Sequence, residues 1–303
     1  MRFLSWLDVL KPDTSRRRTN RGQPRSPRRK PAGCKLSVEA LEDRCQPSFL
    51  APVSYAAGPG PGGMVTGDFN NDTVLDLAVA NYGFSSTVSV LLGNADGTFQ
   101  PSVISAAGDL PGSLAVGDFD GDGKLDLATI TYHNYEAHCD VSVLRGNGDG
   151  TFQPPSVIEL PAMSVESVAV GDFNADGKPD LGVFSNDGGE YPVVYANVLL
   201  GNGDGSFSAP STTVLGSGSH SPAAVADFNG DGKLDFATAR YVYLAPVQGS
   251  VSVLLGDGLG NLQPPTDFST GAVEPGSVAA GDVNGDGHID LVMNGYTYTV
   301  GYN

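Results

Sequence analysis

The sequence predicts an all-β fold, a β-propeller of five four-stranded antiparallel blades, from two observations. A nine-residue pattern of oxygen-bearing side chains begins at Asp68, Asp118, Asp172, Asp227 and Asp282, so successive copies lie 50, 54, 55 and 55 residues apart. Self-similarity at such a period is typical of a repeat architecture. Around each copy, short apolar runs alternate with turns rich in Gly, Asn and Asp, which favours strands over helices.

Each repeat supplies four predicted strands in a fixed order. In the second repeat these are residues 113–118, 125–130, 141–146 and 151–160. The aspartate pattern joins the first two strands, a variable loop joins the next two, and a Gly-Asn-Gly-Asp-Gly turn joins the last two. Connections this short fit antiparallel hairpins. Four-stranded sheets repeated at about 40 to 50 residues indicate propeller blades around a central axis.

The two ends of the repeat region predict how the ring closes. Residues 49–58 (FLAPVSYAAG) match the fourth strand of a repeat (99–108), with no first three strands before them. After the fifth aspartate pattern the chain supplies a second strand (289–295) and a candidate third (297–303), and no fourth. We expect the N-terminal strand to complete the last blade and to hide the sheet edges. The alternative is an incomplete ring that needs further blades or a second copy, with self-association as the result.

Charge divides the chain into two predicted parts, a basic arm at 1–47 and the propeller at 48–303. Residues 1–50 hold 12 of the 17 Lys and Arg but only 5 of the 34 acids. The arm is rich in Arg, Pro and Ser, which predicts a disordered targeting or interaction segment. The remainder, with 5 basic and 29 acidic groups, repels nucleic acid and anionic lipid. No apolar run reaches the roughly 20 residues of a transmembrane helix.

The N-terminal segment and the three cysteines give weaker indications of targeting and of disulfide bonding. Residues 1–10 are apolar but precede the basic cluster, the reverse of the order in a standard signal peptide. Cys34 and Cys45 are predicted to be either a disulfide or two unlinked thiols in the arm. Cys139 heads a strand-like run and is predicted to be a small buried apolar group.

The aspartate loops carry a family resemblance. The pattern D-F-N-x-D-G-x-x-D, preceded by V-x-x-G or a close relative, resembles the FG-GAP and VCBS repeats of integrin alpha-chain propellers and of many bacterial extracellular proteins. Residues 36–44 (LSVEALEDR) resemble the segment that opens many large exported repeat proteins of certain bacteria. These resemblances imply calcium in the loops, secretion or attachment to the bacterial envelope or surface, and binding more often than catalysis.

The residue types of the loops also point to calcium, with up to five ions per chain. A hard dication takes six to eight oxygen ligands, which side chains at positions 1, 3 and 5 and the carbonyl at position 7 of a tight loop supply. Here position 9 adds a carboxylate. The predicted ligands are Asp68, Asn70, Asp72, Val74 and Asp76; Asp118, Asp120, Asp122, Lys124 and Asp126; Asp172, Asn174, Asp176, Lys178 and Asp180; Asp227, Asn229, Asp231, Lys233 and Asp235; and Asp282, Asn284, Asp286, His288 and Asp290.

Position 6 separates the first loop from the others. It is Gly in the second to fifth loops, where the backbone is expected to need a shape that a Cβ hinders, and Thr73 in the first, which we therefore expect to bind most weakly. The alternative is that all five are ordinary Asp and Gly turns. The turns at 146–150 and 201–205 lack a closing acid and are predicted to be hairpin turns, not second metal sites.

The variable loops lie at the opposite end of the strands from the aspartate loops and are the candidate recognition surface. Loops on a rigid scaffold commonly carry recognition, and amphipathic rings suit sugar or protein contacts. The candidate ligand-binding residues are Tyr82, Tyr132, His133, Tyr135, Tyr191, Tyr241 and Tyr243. Alternatively, several of these rings cap the blade edges.

Three functions fit these features. The first is a calcium-stabilised extracellular binding or adhesion module for a glycan or protein. The second is a lyase-like enzyme that degrades polysaccharides on a propeller scaffold, although no acid, base or His outside the loops recurs at a recognisable catalytic spacing. The third is a structural spacer. The first is the prediction, and no catalytic residue is assigned.

Overall fold

A computed structural model describes residues 52–83, 85–133, 138–160, 164–190, 192–220, 223–242, 248–271 and 274–296. The predicted basic arm, its two cysteines and the candidate strand at 297–303 lie outside this range, as do Tyr135, Tyr191 and Tyr243. Within the described part of the chain, no helix is long and apolar enough to cross a membrane.

The described residues form nineteen strands and no helix. The strands are β1 (Pro61–Gly67), β2 (Asp76–Asn81), β3 (Thr87–Leu91), β4 (Val103–Ala106), β5 (Leu114–Gly117), β6 (Asp126–Tyr132), β7 (Cys139–Leu144), β8 (Ser156–Glu159), β9 (Ser164–Gly171), β10 (Asp180–Asn186), β11 (Val193–Leu199), β12 (Ser211–Ser217), β13 (Ser219–His220), β14 (Ala224–Ala226), β15 (Asp235–Val242), β16 (Gln248–Leu254), β17 (Thr266–Ser269), β18 (Glu274–Gly281) and β19 (Asp290–Tyr296). The four predicted strands of the second repeat correspond to β5 to β8.

The strands make five antiparallel sheets in chain order, which we call blades I to V. Blades I (β1–β4), II (β5–β8) and III (β9–β12) each have four strands in sequential order. Blade IV (β13–β17) has its first strand in two pieces, β13 and β14, which both pair with β15. Blade V is the pair β18–β19 in the described residues. The first strands of neighbouring blades adjoin, β1 with β5 and β5 with β9. The predicted β-propeller is confirmed.

The apolar core is divided among the seams between neighbouring blades. One cluster joins blades I and II, and others join II to III, III to IV, and IV to V. Representative members are Phe69, Val90 and Leu127; Phe119, Val165 and Val183; Phe184, Phe236 and Leu254; and Ala237 with Val278. Strands β6 and β10 are buried on both faces because each lies between two neighbouring blades, and their buried residues include polar ones such as Thr129 and Ser185. Cys139 is buried in β7, as predicted.

The same backbone contact recurs at three seams. We call the turn between the third and fourth strands of a blade the third hairpin turn. The last Gly of this turn donates a hydrogen bond to the carbonyl of the Phe at position 2 of the aspartate loop in the preceding blade. The pairs are Gly150 to Phe69 (3.0 Å), Gly205 to Phe119 (2.9 Å) and Gly260 to Phe173 (3.2 Å). Repeated polar contacts of this kind set the register of one blade on the next.

Close packing of a Gly in one blade against a Leu in the next reinforces these seams, and the pair from the two ends of the repeat array lacks it. A Cβ added to Gly67 would lie 2.6 Å from Leu125 Cδ1 of blade II, and one on Gly171 would lie 2.6 Å from Leu234 Cδ1 of blade IV. The equivalent pair at the ends of the repeat array is Gly281 and Leu75. A Cβ on Gly281 would meet nothing within 4 Å, and Leu75 is 66% exposed. In the described part of the chain, this pair does not make the contact that joins the other blades.

Residues 52–58 lie beside blade I, although they form no strand there. The Tyr55 ring packs edge-on against Phe99 with 5.3 Å between centroids. At the next seam, Ser105 of β4 occupies the matching place and accepts a hydrogen bond from the N–H of Phe152 (3.2 Å). The segment therefore takes the position of a preceding blade's outer strand. Its pairing partner would be residues 297–303, outside the described range, so closure of the ring by this segment stays a prediction.

The first Gly of each third hairpin turn provides a test of the packing. A Cβ on Gly146 would clash with the backbone carbonyl oxygen of Leu125, which cannot swing aside as a side chain can. We expect Gly146→Ala to lower the free energy of unfolding by about 1 to 3 kcal/mol, the usual cost of overpacking. Gly281→Ala is the control, because the space around Gly281 is open. Equal losses in urea unfolding of the two variants would contradict this packing.

Candidate metal centres and the variable-loop face

Each aspartate loop is folded by hydrogen bonds from its own backbone to its side-chain oxygens. In the second loop, Asp118 accepts from the N–H of Asp122 (3.1 Å) and of Gly123 (3.0 Å). Asp120 Oδ1 accepts from the N–H of Asp122 (3.2 Å), and Asp122 Oδ1 accepts from the N–H of Lys124 (2.9 Å). The other four loops repeat this pattern. The oxygens at positions 1, 3 and 5 are therefore held inside a tight turn.

The carboxylate at position 9 lies deeper than the others and links the aspartate loop to the third hairpin turn of the same blade. Asp126 is fully buried; its Oδ2 accepts from the N–H of Phe119 (2.9 Å) and its Oδ1 from the N–H of Gly146 in the third hairpin (2.7 Å). The equivalent residues Asp76, Asp180 and Asp235 make the same two bonds. We call this arrangement the aspartate latch. It places the aspartate loops and the third hairpins on one face of the propeller.

Burial sets the charge properties of the latch. Removal from water raises the pKa of Asp126 to about 6, while the two backbone N–H groups act in the opposite direction. The pKa values of Asp76, Asp180 and Asp235 are raised for the same first cause. The protein therefore keeps a carboxylate at each latch at the cost of desolvation, and a nearby cation would favour its ionised form.

Three of the predicted ligands come together in the second loop. Carboxylate oxygens of Asp118, Asp120 and Asp126 lie within 4.8 Å of one another. Asp122 is directed elsewhere, because its Oδ2 lies 2.7 Å from Lys124 Nζ. Such an all-oxygen donor set fits a hard dication such as calcium, since each carboxylate oxygen can accept more than the hydrogen bonds it has here. The loops of blades III and IV resemble it, with Asp176 and Asp231 near Lys178 and Lys233 (3.9 and 3.6 Å).

Backbone conformation explains the glycines of the loops. Position 6 has a φ of 80° to 83° at Gly123, Gly177, Gly232 and Gly287, a left-handed conformation that a Cβ disfavours. Thr73 adopts a φ of 69° at the same position, so the first loop is strained there. Position 4 is left-handed too, with Ala175 at 58°. Gly recurs at position 4 in three loops, and this recurrence is a sequence signal of the left-handed conformation there.

The third hairpin turns use their carboxylates internally. Asp149 Oδ1 accepts from both the N–H and the hydroxyl of Thr151 (2.9 and 2.5 Å), which lowers the pKa of Asp149. Asp96 and Asp204 bond Thr98 and Ser206 in the same way. These turns are closed by a bridge such as Gly146 to Phe152, the arrangement predicted for hairpins.

On the opposite face, the structure gives Tyr132 a structural role. Its hydroxyl donates to the carbonyl of Val165 in blade III (2.8 Å), and its ring packs edge-on against Tyr82 of blade I with 5.6 Å between centroids. Burial raises its pKa to about 12. Tyr132 thus ties three blades together, the capping role that the sequence left as an alternative, whereas Tyr82 is 48% exposed. Tyr241 lies apart from this group, in β15 of blade IV.

Two polar groups near this face escaped the sequence prediction. Glu166 in β9 accepts a hydrogen bond from Asn186 Nδ2 (3.0 Å), its Oε2 is buried without a hydrogen-bond partner, and burial raises its pKa. Asp140 in β7 is buried beside His133, with Asp140 Oδ2 2.8 Å from His133 Nε2. Neither residue belongs to a recurring pattern, so only the fold brings them to the variable-loop face.

Comparison with known proteins agrees with this architecture. The family model described as FG-GAP-like repeat matches residues 68–129, 130–183, 183–238 and 240–293. The chain is an all-β propeller, and it belongs to the FG-GAP-like repeat family. None of the curated proteins compared with the chain matches it.

Several solved structures are similar to the chain at low identity. The Dos1 propeller is 14% identical over 73% of this chain, with a TM-score of 0.48, and the match spans about half (49%) of that protein. The endo-arabinase from Bacteroides thetaiotaomicron VPI-5482 is 12% identical over 84% of this chain and 99% of its own, with a TM-score of 0.47. The V. cholerae biofilm matrix protein Bap1 is 18% identical over 70% of this chain and 40% of its own, with a TM-score of 0.34.

The strain at Thr73 is testable. We expect Thr73→Gly to raise the free energy of unfolding by about 1 kcal/mol, because glycine avoids the left-handed penalty that a branched side chain incurs. Gly177→Thr is the converse change and should lower it, since Gly177 has a φ of 82° and open space around its Cβ direction. Both are measured by urea unfolding in chelator, which removes any contribution of metal binding. A Thr73→Gly protein less stable than the parent would contradict the strain.

Proposed function

We propose that the protein is a calcium-stabilised extracellular binding module of the bacterial envelope or secreted fraction, which recognises a glycan or protein through its variable-loop face. The observation that carries the proposal is the aspartate loop, which is folded five times by hydrogen bonds from its own backbone to its side-chain oxygens. Calcium would be held by the side chains at positions 1, 3 and 9 and by the carbonyl at position 7. The carboxylate at position 5 would join them on leaving the Lys at position 7, as Asp122 would leave Lys124. Its role there is electrostatic, the neutralisation of crowded carboxylates.

Support for a stabilising role comes from the bonds that leave each loop. The N–H of Phe119 donates to the latch at Asp126 (2.9 Å), and the carbonyl of the same Phe119 accepts from Gly205 of the next blade (2.9 Å). The shape of one loop is therefore coupled to the seam with its neighbour. A cation that orders the loop also orders the contact between blades, so calcium would stabilise the seams that join blades I to IV.

Removal of calcium tests this half of the proposal. Each site adds about 2.7 kcal/mol of stability when free calcium is 100 times its dissociation constant. We expect a chelator to lower the melting temperature by many degrees, and the double change Asp118→Ala with Asp120→Ala to reduce the bound calcium by one ion per chain.

Two variants serve as matched controls for the calcium measurement. Asp120→Asn gives the second loop the Asn that the other four loops have at position 3, and it should still bind. Asp149→Ala removes a carboxylate from the neighbouring hairpin turn and should leave the calcium stoichiometry unchanged. A melting curve that is the same in calcium and in chelator would contradict the proposal.

The recognition half rests on the exposed aromatic surface of the variable loops. Tyr82 presents half of its surface to solvent and is held by the Tyr132 ring, which is itself fixed to blade III. An aromatic ring on a rigid support loses little conformational entropy when it binds, and such rings commonly dominate binding surfaces.

A glycan and protein binding screen in calcium tests recognition. Once a ligand is found, we expect Tyr82→Ala to weaken its binding about tenfold or more, which corresponds to about 1.4 kcal/mol. Tyr55→Ala is a matched control, because Tyr55 is also exposed and also packs edge-on against one ring, but lies in the segment at 52–58. Equal effects of the two changes would contradict this assignment of the surface. Turnover of an acidic polysaccharide in the same screen would replace the binding proposal with the enzymatic one.

A further inference from the structure

We propose that blade II carries a second kind of metal site, built from His133, His138 and Asp140, that binds a borderline transition-metal ion such as Zn²⁺. The two histidines flank the neck of the β6–β7 hairpin, one residue beyond the paired positions Tyr132 and Cys139. Asp140 lies within the same hairpin, on β7. The site is independent of the aspartate loops, which are at the opposite ends of these strands.

The geometry brings the three side chains together. His133 Nε2 lies 2.8 Å and His138 Nε2 3.8 Å from Asp140 Oδ2. The two imidazole rings stack with 4.5 Å between centroids and 28° between planes. One ligand atom from each of the three residues lies within 4.8 Å of the others. A small cation bound among these atoms would reach all three after minor side-chain rotation.

The burial of Asp140 favours a cation at this position. Its side chain is only 4% exposed, and its Oδ1 is buried with no hydrogen-bond partner. A buried carboxylate oxygen without a partner is costly, because the desolvation of the group is not compensated. The hydrogen bond to His133 satisfies Oδ2 alone. A metal ion coordinated by this carboxylate would supply the compensation.

Asp109 provides the outer support expected around such a site. Its Oδ2 lies 3.5 Å from His133 Nδ1, the ring nitrogen that faces away from Asp140. Histidines that bind a metal through one nitrogen generally donate the other N–H to a carboxylate, which fixes the tautomer and the ring orientation. Asp109 is thus placed to hold His133 with its Nε2 lone pair directed at the metal.

The donor set selects the class of ion. Two imidazoles and one carboxylate suit Zn²⁺ and related first-row ions, whereas calcium prefers oxygen ligands alone. Three protein ligands leave a fourth tetrahedral position for water or for an external group. The site therefore differs in chemistry from the aspartate loops, and millimolar calcium should not fill it.

Spectroscopy with cobalt and calorimetry with zinc test the site in the full-length chain. In excess calcium, we expect one equivalent of Co²⁺ to give the intense visible absorption of a tetrahedral complex, and Zn²⁺ to displace it. His138→Ala should abolish that spectrum, and Asp109→Asn should weaken binding by about 10- to 100-fold, the usual effect of losing an outer-shell partner.

Two controls separate loss of this metal site from loss of an unrelated histidine and from unfolding. His288→Ala removes a histidine side chain from the fifth aspartate loop but keeps the backbone carbonyl predicted to bind calcium, so it should leave the cobalt spectrum unchanged. Because His138 is at the surface, with 38% of its side chain exposed, its replacement should preserve the fold, which circular dichroism checks. The proposal is overturned if the parent protein shows no tetrahedral cobalt spectrum, or if His138→Ala retains it.

Discussion

The aspartate latch is the interaction on which the rest of the structure depends. In four blades a buried carboxylate accepts one N–H from its own loop and one from the third hairpin, as Asp126 does from Phe119 and Gly146. Hydrogen bonds to a charged group contribute about 1.5 to 3 kcal/mol each. They offset only part of the cost of burying the charge, because the pKa of Asp126 is still raised to about 6. The latch thereby holds two hairpins of a blade together at one end. Because Phe119 also bonds the next blade, the latch fixes the orientation of the blades as well.

The sequence predicts the architecture well because each repeat is specified by residues that are close together in the chain. Turn residues at constant offsets, short apolar runs and the 50- to 55-residue step between loops are all visible without a structure. Left-handed backbone at position 6 was also foreseeable, since only Gly populates it without strain. These features depend on residues close together in the chain, where conformational preferences are strongest.

The missed features depend on partners distant in sequence. The pattern predicts Asp126 as a metal ligand but does not reveal its hydrogen bond to Gly146, which spans 20 residues. The hydroxyl of Tyr132 reaches Val165, 33 residues away, which the composition of a variable loop does not reveal. Likewise, the five-residue spacing of His133 and His138 does not indicate that the fold buries Asp140 beside them.

The division of the core among seams has a consequence for how the molecule opens. In an array whose units contact only their neighbours, stability is a sum of nearest-neighbour terms. A blade in the middle, such as blade III with buried clusters on both sides, must break two interfaces to detach. Blade V shares one small cluster with blade IV, and Val283 and Val292 are exposed. Amide hydrogens should therefore exchange with solvent faster in β18 and β19 than in β6 and β10, because the described residues of blade V share only one small buried cluster with a neighbour.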